Sequence, residues 1–106
     1  MTIFNIIEKA QILHLLQGKI PAGFSLNDNV DLQLDNHTYQ AFTITNDKIK
    51  ILYLLINTDP LTNIHEENIG RLCKKYDFAF GHYVKCISGE KGIDSITVST
   101  EIDRLN

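Results

Sequence analysis

The chain has 106 residues, of which 43% are hydrophobic and 22% are charged, with ten basic against thirteen acidic side chains. This length and composition predict one globular domain, spanning residues 1–106, with a core of its own. The net charge of −3 disfavours a protein that tracks a nucleic-acid backbone, and the two cysteines do not make a disulfide framework.

The amino-terminal segment predicts neither a secretory leader nor a membrane anchor. It has no basic region, and Glu8 and Lys9 interrupt its apolar run. Apolar stretches elsewhere are shorter than the roughly 18 residues that a membrane span needs. We therefore expect a cytoplasmic protein.

The first predicted element is a helix that begins after a cap at Thr2 and runs to about Gln17, with Gly18 as its stop. Its apolar residues fall on two sides. The side that we expect to face the core has five residues at helical spacing: Ile3, Ile6, Ile7, Ala10 and Leu13.

Three further apolar residues of this helix fall among polar neighbours on a different side: Phe4, Ile12 and Leu15. The helix is therefore more apolar than one buried face requires. Either the fold covers the helix on two sides, or these three residues form a patch that binds a partner chain.

Alternation of apolar and polar residues then predicts a three-stranded meander. Its strands span residues 30–34, 37–44 and 48–56, and residues 24–26 can form a short strand before them. Asp35-Asn36 and Asn46-Asp47 are the predicted turns. The last strand is apolar on both faces, which is typical of a strand in the middle of a covered sheet.

The second half of the chain predicts one helix and two strands. Asn63 and Glu66 have capping-box spacing, so a helix is expected to begin there. Strands are expected at 78–87 and 96–102, with a turn at 88–92. The predicted fold is α+β: an antiparallel sheet of about five strands with helices packed on it, in the order α-β-β-β-α-β-β.

Motifs with chemical meaning are not recognisable. His65-Glu66 lacks the second histidine of a zinc-protease motif, since Ile69 stands at that position. Gly92 follows Lys91 where a phosphate loop has Ser or Thr. We therefore expect a protein that is not an enzyme and has no catalytic, cofactor or metal site. A pocket that joins His82 with an acidic residue would favour a small enzyme instead.

The segment FSLNDNVDLQLDNHTYQAFTITNDKIKILYLLINTDPL, residues 24–61, resembles the first sheet half of the class I type III secretion chaperones. In that family a helix leads into a three-stranded meander, a proline-containing loop, a second helix and two more strands. The loop, the second helix and the strand that follows it correspond here to Asp59-Pro60, the helix from Asn63 and the run FAFGHYVKCIS at 78–88.

This resemblance implies an acidic, cytoplasmic homodimer without ATPase activity that binds an extended segment of a secreted effector. Strand addition at an open sheet edge and apolar contacts beside the first helix would hold the client. Phe4, Ile12 and Leu15 would then be the partner-binding residues. Neither nucleic acid nor membrane is expected as a partner.

An immunity or inhibitor protein is the alternative, a rigid domain that covers the active site of a toxin or host enzyme. The mild acidity fits this function equally well. Asp28, Asp31 and Asp35 would then face a basic partner and accelerate association.

Overall fold

The computed structural model describes residues 3–57 and 62–106, which form two helices and seven strands. In chain order the elements are α1 Ile6–Gln17, β1 Ser25–Leu26, β2 Val30–Leu34, β3 His37–Thr45, β4 Lys50–Ile56, α2 Thr62–Tyr76, β5 Phe80–Gly89, β6 Gly92–Val98 and β7 Ile102–Asp103.

All seven strands belong to one sheet, with β3, β4 and β5 at its centre. On one side β1 and β2 both pair with β3, and on the other side β6 and β7 both pair with β5. The α+β class is confirmed. The number and order of strands differ from the prediction, because each outer row is broken into two short strands.

The central pair of strands is parallel, which corrects the prediction of a wholly antiparallel sheet. The register runs from Ile51 opposite Phe80 to Ile56 opposite Lys85. The connection between β4 and β5 contains α2, and such a crossover returns the chain to the end of the sheet at which it started. A strand that is buried on both faces, as β4 is, suits this parallel position.

The predicted turns of the meander have the expected local chemistry. Asp35 and Asn36 have φ values of 50° and 66°, which two-residue hairpin turns require and which these residue types tolerate. In the next turn, the Asn46 side chain accepts hydrogen bonds from the backbone N–H groups of Lys48 and Ile49, at 2.8 and 2.9 Å. These turns fix the register between β2, β3 and β4.

The sheet lies between the two helices, so the molecule has three layers. The α1 side of the sheet buries Phe4, Ile12, Leu16, Phe42, Ile44, Ile51, Tyr53, Leu55, Val84, Cys86, Ile93 and Ile96. The α2 side buries Leu32, Leu34, Ala41, Leu52, Leu54, Ile56, Ile69, Leu72, Cys73 and Phe78. Each helix therefore covers an apolar face that the sheet could not leave in water.

Helix α2 begins at Thr62, one residue before the predicted start. The predicted capping box of Asn63 and Glu66, and the Asp59-Pro60 loop, fall outside the part of the chain that is described in full. At its other end, Asp77 takes a left-handed conformation with φ 62°, and the Phe78 N–H donates to the Cys73 carbonyl at 2.9 Å. This pattern satisfies carbonyl groups that the helix end leaves free.

Strand β6 carries one extra residue. Ile87 pairs with Ser95 while Ser88 pairs with Ile93, so Asp94 has no counterpart on β5. This bulge shifts the alternation of side-chain directions along β6 by one residue. Ile93 therefore points to the same side of the sheet as Ile96. The prediction started this strand at residue 96 because the alternation is interrupted there.

Candidate functional site

Helix α1 starts three residues later than predicted, because a capping box at Asn5 and Glu8 ends the extended segment. The Asn5 N–H donates to Glu8 Oε1 at 3.0 Å, and the Glu8 N–H donates to Asn5 Oδ1 at 2.8 Å. The predicted cap, Thr2, lies outside the described residues. Both end amides are satisfied reciprocally, which places Ile6 and Ile7 in the first helical turn.

Two glutamine side chains attach this helix to the sheet. Gln40 on β3 accepts from the Phe4 N–H at 2.6 Å and donates to the Phe4 carbonyl at 3.1 Å. Gln11 on α1 donates to the Lys91 carbonyl at 2.9 Å and accepts from the Ile93 N–H at 2.8 Å. Each amide holds a donor and an acceptor of the backbone, so together they fix the rotation of α1 about its axis.

The resulting rotation is opposite to the one predicted. Phe4 and Ile12 are 3% and 0% exposed, whereas Ile3, Ile6 and Ile7 are 79%, 80% and 68% exposed. Of the five residues that were expected to meet the sheet, Ile3, Ile6, Ile7 and Ala10 thus face solvent, and Leu13 is half-buried and packs against the core. Two of the three predicted partner-binding residues lie in the core, and a partner could reach them only if α1 left the sheet.

Leu15, the third of these residues, is half-buried beside a groove of about 500 Å³. Ile6, Ile7, Ala10 and His14 line the helical wall of this groove, and Ile93 forms its floor at the sheet. We call the solvent-facing row the α1 outer face: Ile3, Ile6, Ile7, Ala10 and His14. Hydrophobic periodicity finds these residues, but it cannot tell which of the two apolar sides faces outwards.

Covering the α1 outer face would be energetically significant. Full burial of an isoleucine contributes about 1.5–3 kcal/mol, so covering the exposed parts of Ile3, Ile6 and Ile7 contributes roughly 3–7 kcal/mol. Single exposed apolar residues are ordinary on protein surfaces, but three adjacent isoleucines form a patch. This patch distinguishes the α1 outer face from Ile87 and Leu105, the other large apolar side chains with high exposure among the described residues.

Side chains obstruct both outer rows of the sheet at particular points. On β2, the Gln33 N–H donates to the Tyr76 hydroxyl at 2.8 Å, and Lys75 Nζ donates to the Gln33 carbonyl at 2.6 Å. On β6, Gln11 occupies the Ile93 N–H. Because an added strand needs such backbone groups free, strand addition is blocked at these residues.

A second groove, of about 430 Å³, lies where α2 starts and the chain ends. Four acidic residues and two apolar ones line it: Glu66, Glu67, Glu101, Asp103, Ile102 and Leu105. Of the acidic residues predicted to face a basic partner, Asp28 and Asp31 are exposed, and Asp35 forms an ion pair of 2.7 Å with Arg71.

His82, the one histidine singled out for possible chemistry, has structural contacts. Its Nδ1 lies 2.8 Å from the Ser99 carbonyl, and its ring stacks on Tyr53 with centroids 5.0 Å apart. Within residues 3–57 and 62–106, groups of three or more His, Cys, Asp or Glu that could hold a metal ion are not found.

Neither helix of the described residues is long and apolar enough to cross a membrane. Comparison with protein-family models, curated proteins and solved structures finds no match to this chain. The resemblance to the type III secretion chaperones therefore rests on residue pattern, and the α1 outer face is the candidate site on which a function can be argued.

Proposed function

We propose that this chain is a non-enzymatic protein-binding domain and that it holds a client segment against the α1 outer face. The observation that carries the proposal is the exposure of Ile3, Ile6 and Ile7 on a helix whose opposite side is fully buried. In line with the chaperone resemblance, the client is a non-globular segment of a secreted effector. Its apolar side chains enter the groove beside Ile7 and Leu15.

The binding mode differs from the one expected from sequence. Contacts at Gln33 and Ile93 occupy backbone groups that an added strand would need. Apolar contact with a helix face does not need free backbone groups on this domain. We therefore propose side-chain packing against α1, rather than extension of the sheet, as the main source of affinity.

The test uses Ile6→Glu and Ile7→Glu. These positions are the first two of the helix, where a negative charge favours the helix dipole, so the free energy of unfolding should stay unchanged or rise slightly. Binding to a permanently unfolded model protein, reduced and carboxymethylated, should weaken at least tenfold because a charge would be buried in the contact.

Ile87→Glu is the matched control, since Ile87 is also exposed but lies on β5, away from α1. It should leave binding intact. Equal affinity of all four proteins for the unfolded chain would refute the proposal. If Ile7→Glu loses binding as expected, co-purification from the native host followed by mass spectrometry identifies the effector, as the protein that the wild type retains and this variant loses.

The immunity or inhibitor function is supported by a different observation, the acidic groove around Ile102 and Leu105. Acidic side chains around an apolar centre suit a basic active site, with the charges accelerating association. Under this alternative, Glu66→Lys with Glu101→Lys lowers the association rate for the folded partner and flattens its dependence on salt. An unchanged rate would remove the support for this function.

A further inference from the structure

The outer row of the sheet beside β5 is interrupted between β6 and β7. Val98 lies opposite Val84, whereas Ile102 lies opposite Gly81, so three residues of the outer row span only two residues of β5. Such an extra residue breaks the ladder of backbone pairs. Residues 102–105, which we call the strap, therefore have an attachment of their own and do not continue the β6 ladder.

The strap lies in a groove between β5 and α2 that holds its backbone from two sides. On one side, its first two residues pair antiparallel with Phe80 and Gly81 of β5. On the other side, the Leu105 N–H donates to the carbonyl of Gly70 in α2, at 3.1 Å. Contacts of this kind are made to the main chain, so the groove recognises an extended backbone before it recognises particular side chains.

Gly70 makes room for the strap beside α2. It lies in the interior of this helix, where glycine is less favourable than alanine. A Cβ at Gly70 would lie 3.0 Å from Leu105 Cγ and 3.2 Å from the Asp103 carbonyl oxygen. The missing side chain therefore widens the groove for an extended segment, at a cost to the helix.

Two side chains of the strap show what the groove accepts. Ile102 is half-buried against the apolar core on the α2 side. Arg104 Nη1 donates to Asp77 Oδ1 at 2.7 Å, and these side chains are 38% and 84% exposed, so the ion pair holds the strap only weakly. The groove thus fits an apolar residue that is followed two positions later by a cation.

From these features we infer that the groove between β5 and α2 binds an extended peptide of another protein, and that the strap is its autoinhibitory occupant. A partner segment with an apolar residue, and Arg or Lys two positions later, replaces residues 102–105. Because the strap belongs to the same chain, its effective concentration is on the order of millimolar, which keeps weak ligands out. This site goes beyond the proposed function, since the α1 outer face lies on the other side of the sheet.

Hydrogen exchange of the full wild-type chain tests whether the strap opens by itself. The Leu105 N–H should exchange through local opening, at least a hundredfold faster than the most protected amides of β4 at the centre of the sheet. Equal protection of both would mean that the strap leaves its groove only when the whole domain unfolds, which would overturn the inference.

Ile102→Asp tests the groove itself, because a carboxylate at this half-buried position should release the strap. The probe is a fluorescein-labelled peptide with the sequence TEIDRLN, residues 100–106 of the chain. By fluorescence anisotropy it should bind the variant at least tenfold more tightly than it binds the wild type, with circular dichroism checking that the variant stays folded. The same peptide carrying Ile102→Asp and Arg104→Glu should not bind. Equal affinity of the two proteins for the probe would contradict the inference.

Further variants locate the bound peptide. Adding Gly70→Ala to Ile102→Asp should weaken binding of the probe at least tenfold, because the new methyl group narrows the groove. Ile12→Ala, which loosens the core under α1 but leaves the strap in place, should bind the probe like the wild type. Binding that Gly70→Ala leaves intact, or that Ile7→Glu abolishes, would place the peptide elsewhere and refute this site. Failure of the wild type to bind the unfolded model protein refutes the proposed function alone.

Discussion

Single side chains decide how closely the layers of this fold approach. Gly81 on β5 lies beneath α2: a Cβ at this position would lie 2.7 Å from Ile69 Cγ2 and 3.2 Å from Cys73 Sγ. The missing methyl group lets the helix descend onto the centre of the sheet. Gly81 thus serves packing, and its backbone does not need the left-handed conformation that often explains a glycine.

Gly81→Ala should therefore destabilise the protein by about 1–3 kcal/mol, through overpacking against α2. Urea denaturation measures the change. Gly18→Ala is the matched control, because its Cβ would approach nothing closer than the Leu15 carbonyl, at 3.9 Å, and its φ of −79° suits alanine. The control should be neutral or stabilising by up to about 1 kcal/mol. Equal losses in both variants would contradict the close approach of α2.

At the scale of the element, α1 is held by contacts whose partners are remote in sequence. Gln40 on β3 hydrogen-bonds Phe4 just before the helix, and Gln11 on the helix hydrogen-bonds Ile93 on β6, at an opposite part of the sheet. Apolar residues occur on two sides of this helix, so its own sequence leaves the rotation open. The remote contacts turn the side with Ile12 and Leu16 towards the sheet, and leave the side with Ile6 and Ile7 exposed to solvent.

Two substitutions of the same type on α1 test directly how the helix is rotated about its axis. Ile12→Ala should cost about 2–5 kcal/mol of unfolding free energy, because it opens a cavity under α1. Ile6→Ala should change it by less than about 0.5 kcal/mol, because Ile6 is exposed. The opposite ranking in thermal or urea unfolding would restore the rotation expected from the sequence.

These contacts also explain which parts of the structure are predictable from the sequence. Strands and turns of the meander follow from local alternation and from Asp35-Asn36 and Asn46, so they could be predicted. Three features depend on long-range pairing and could not: the rotation of α1, the parallel β4–β5 pair and the extra residue Asp94. The candidate site belongs to the second group, since its exposure is a consequence of that rotation.

At the scale of the whole molecule, two helices cover both faces of one sheet, and each layer boundary holds one thiol. Cys86 on β5 lies under α1, and Cys73 belongs to α2 and faces the sheet. Burial raises the pKa of the Cys86 thiol to about 12 and that of Cys73 to about 11, from an ordinary value of 9.0. Both thiols therefore stay protonated in the folded protein well above neutral pH.

The difference between these pKa values and the ordinary value expected in the unfolded chain predicts that the protein loses stability at alkaline pH. Because the pKa values of both thiols are raised in the folded protein, their contribution to the free energy of unfolding is fully present below about pH 9, where thiols of the unfolded chain are still protonated. As the pH rises towards 12, the unfolded chain loses protons that the folded protein keeps, and the free energy of unfolding falls. Urea denaturation at neutral pH and at steps above pH 9 measures the decline.

Cys86→Ala should flatten this pH dependence while lowering stability at neutral pH, because it removes the thiol and leaves a small cavity. At neutral pH both wild-type thiols should react with a thiol reagent only as fast as the protein opens. Rapid labelling of the native protein would contradict the burial of Cys73 and Cys86.

The parallel pair at the centre of the sheet has a consequence for the order in which the chain is made. Strand β4 is apolar on both faces, yet its partner β5 leaves the ribosome only after the whole of α2. During that interval β4 has β3 on one side and an open edge on the other, which is a template for aggregation. We expect the nascent chain to be most vulnerable between the synthesis of Ile56 and of Phe80, and ribosome-bound chains that end in this interval to recruit general chaperones most strongly.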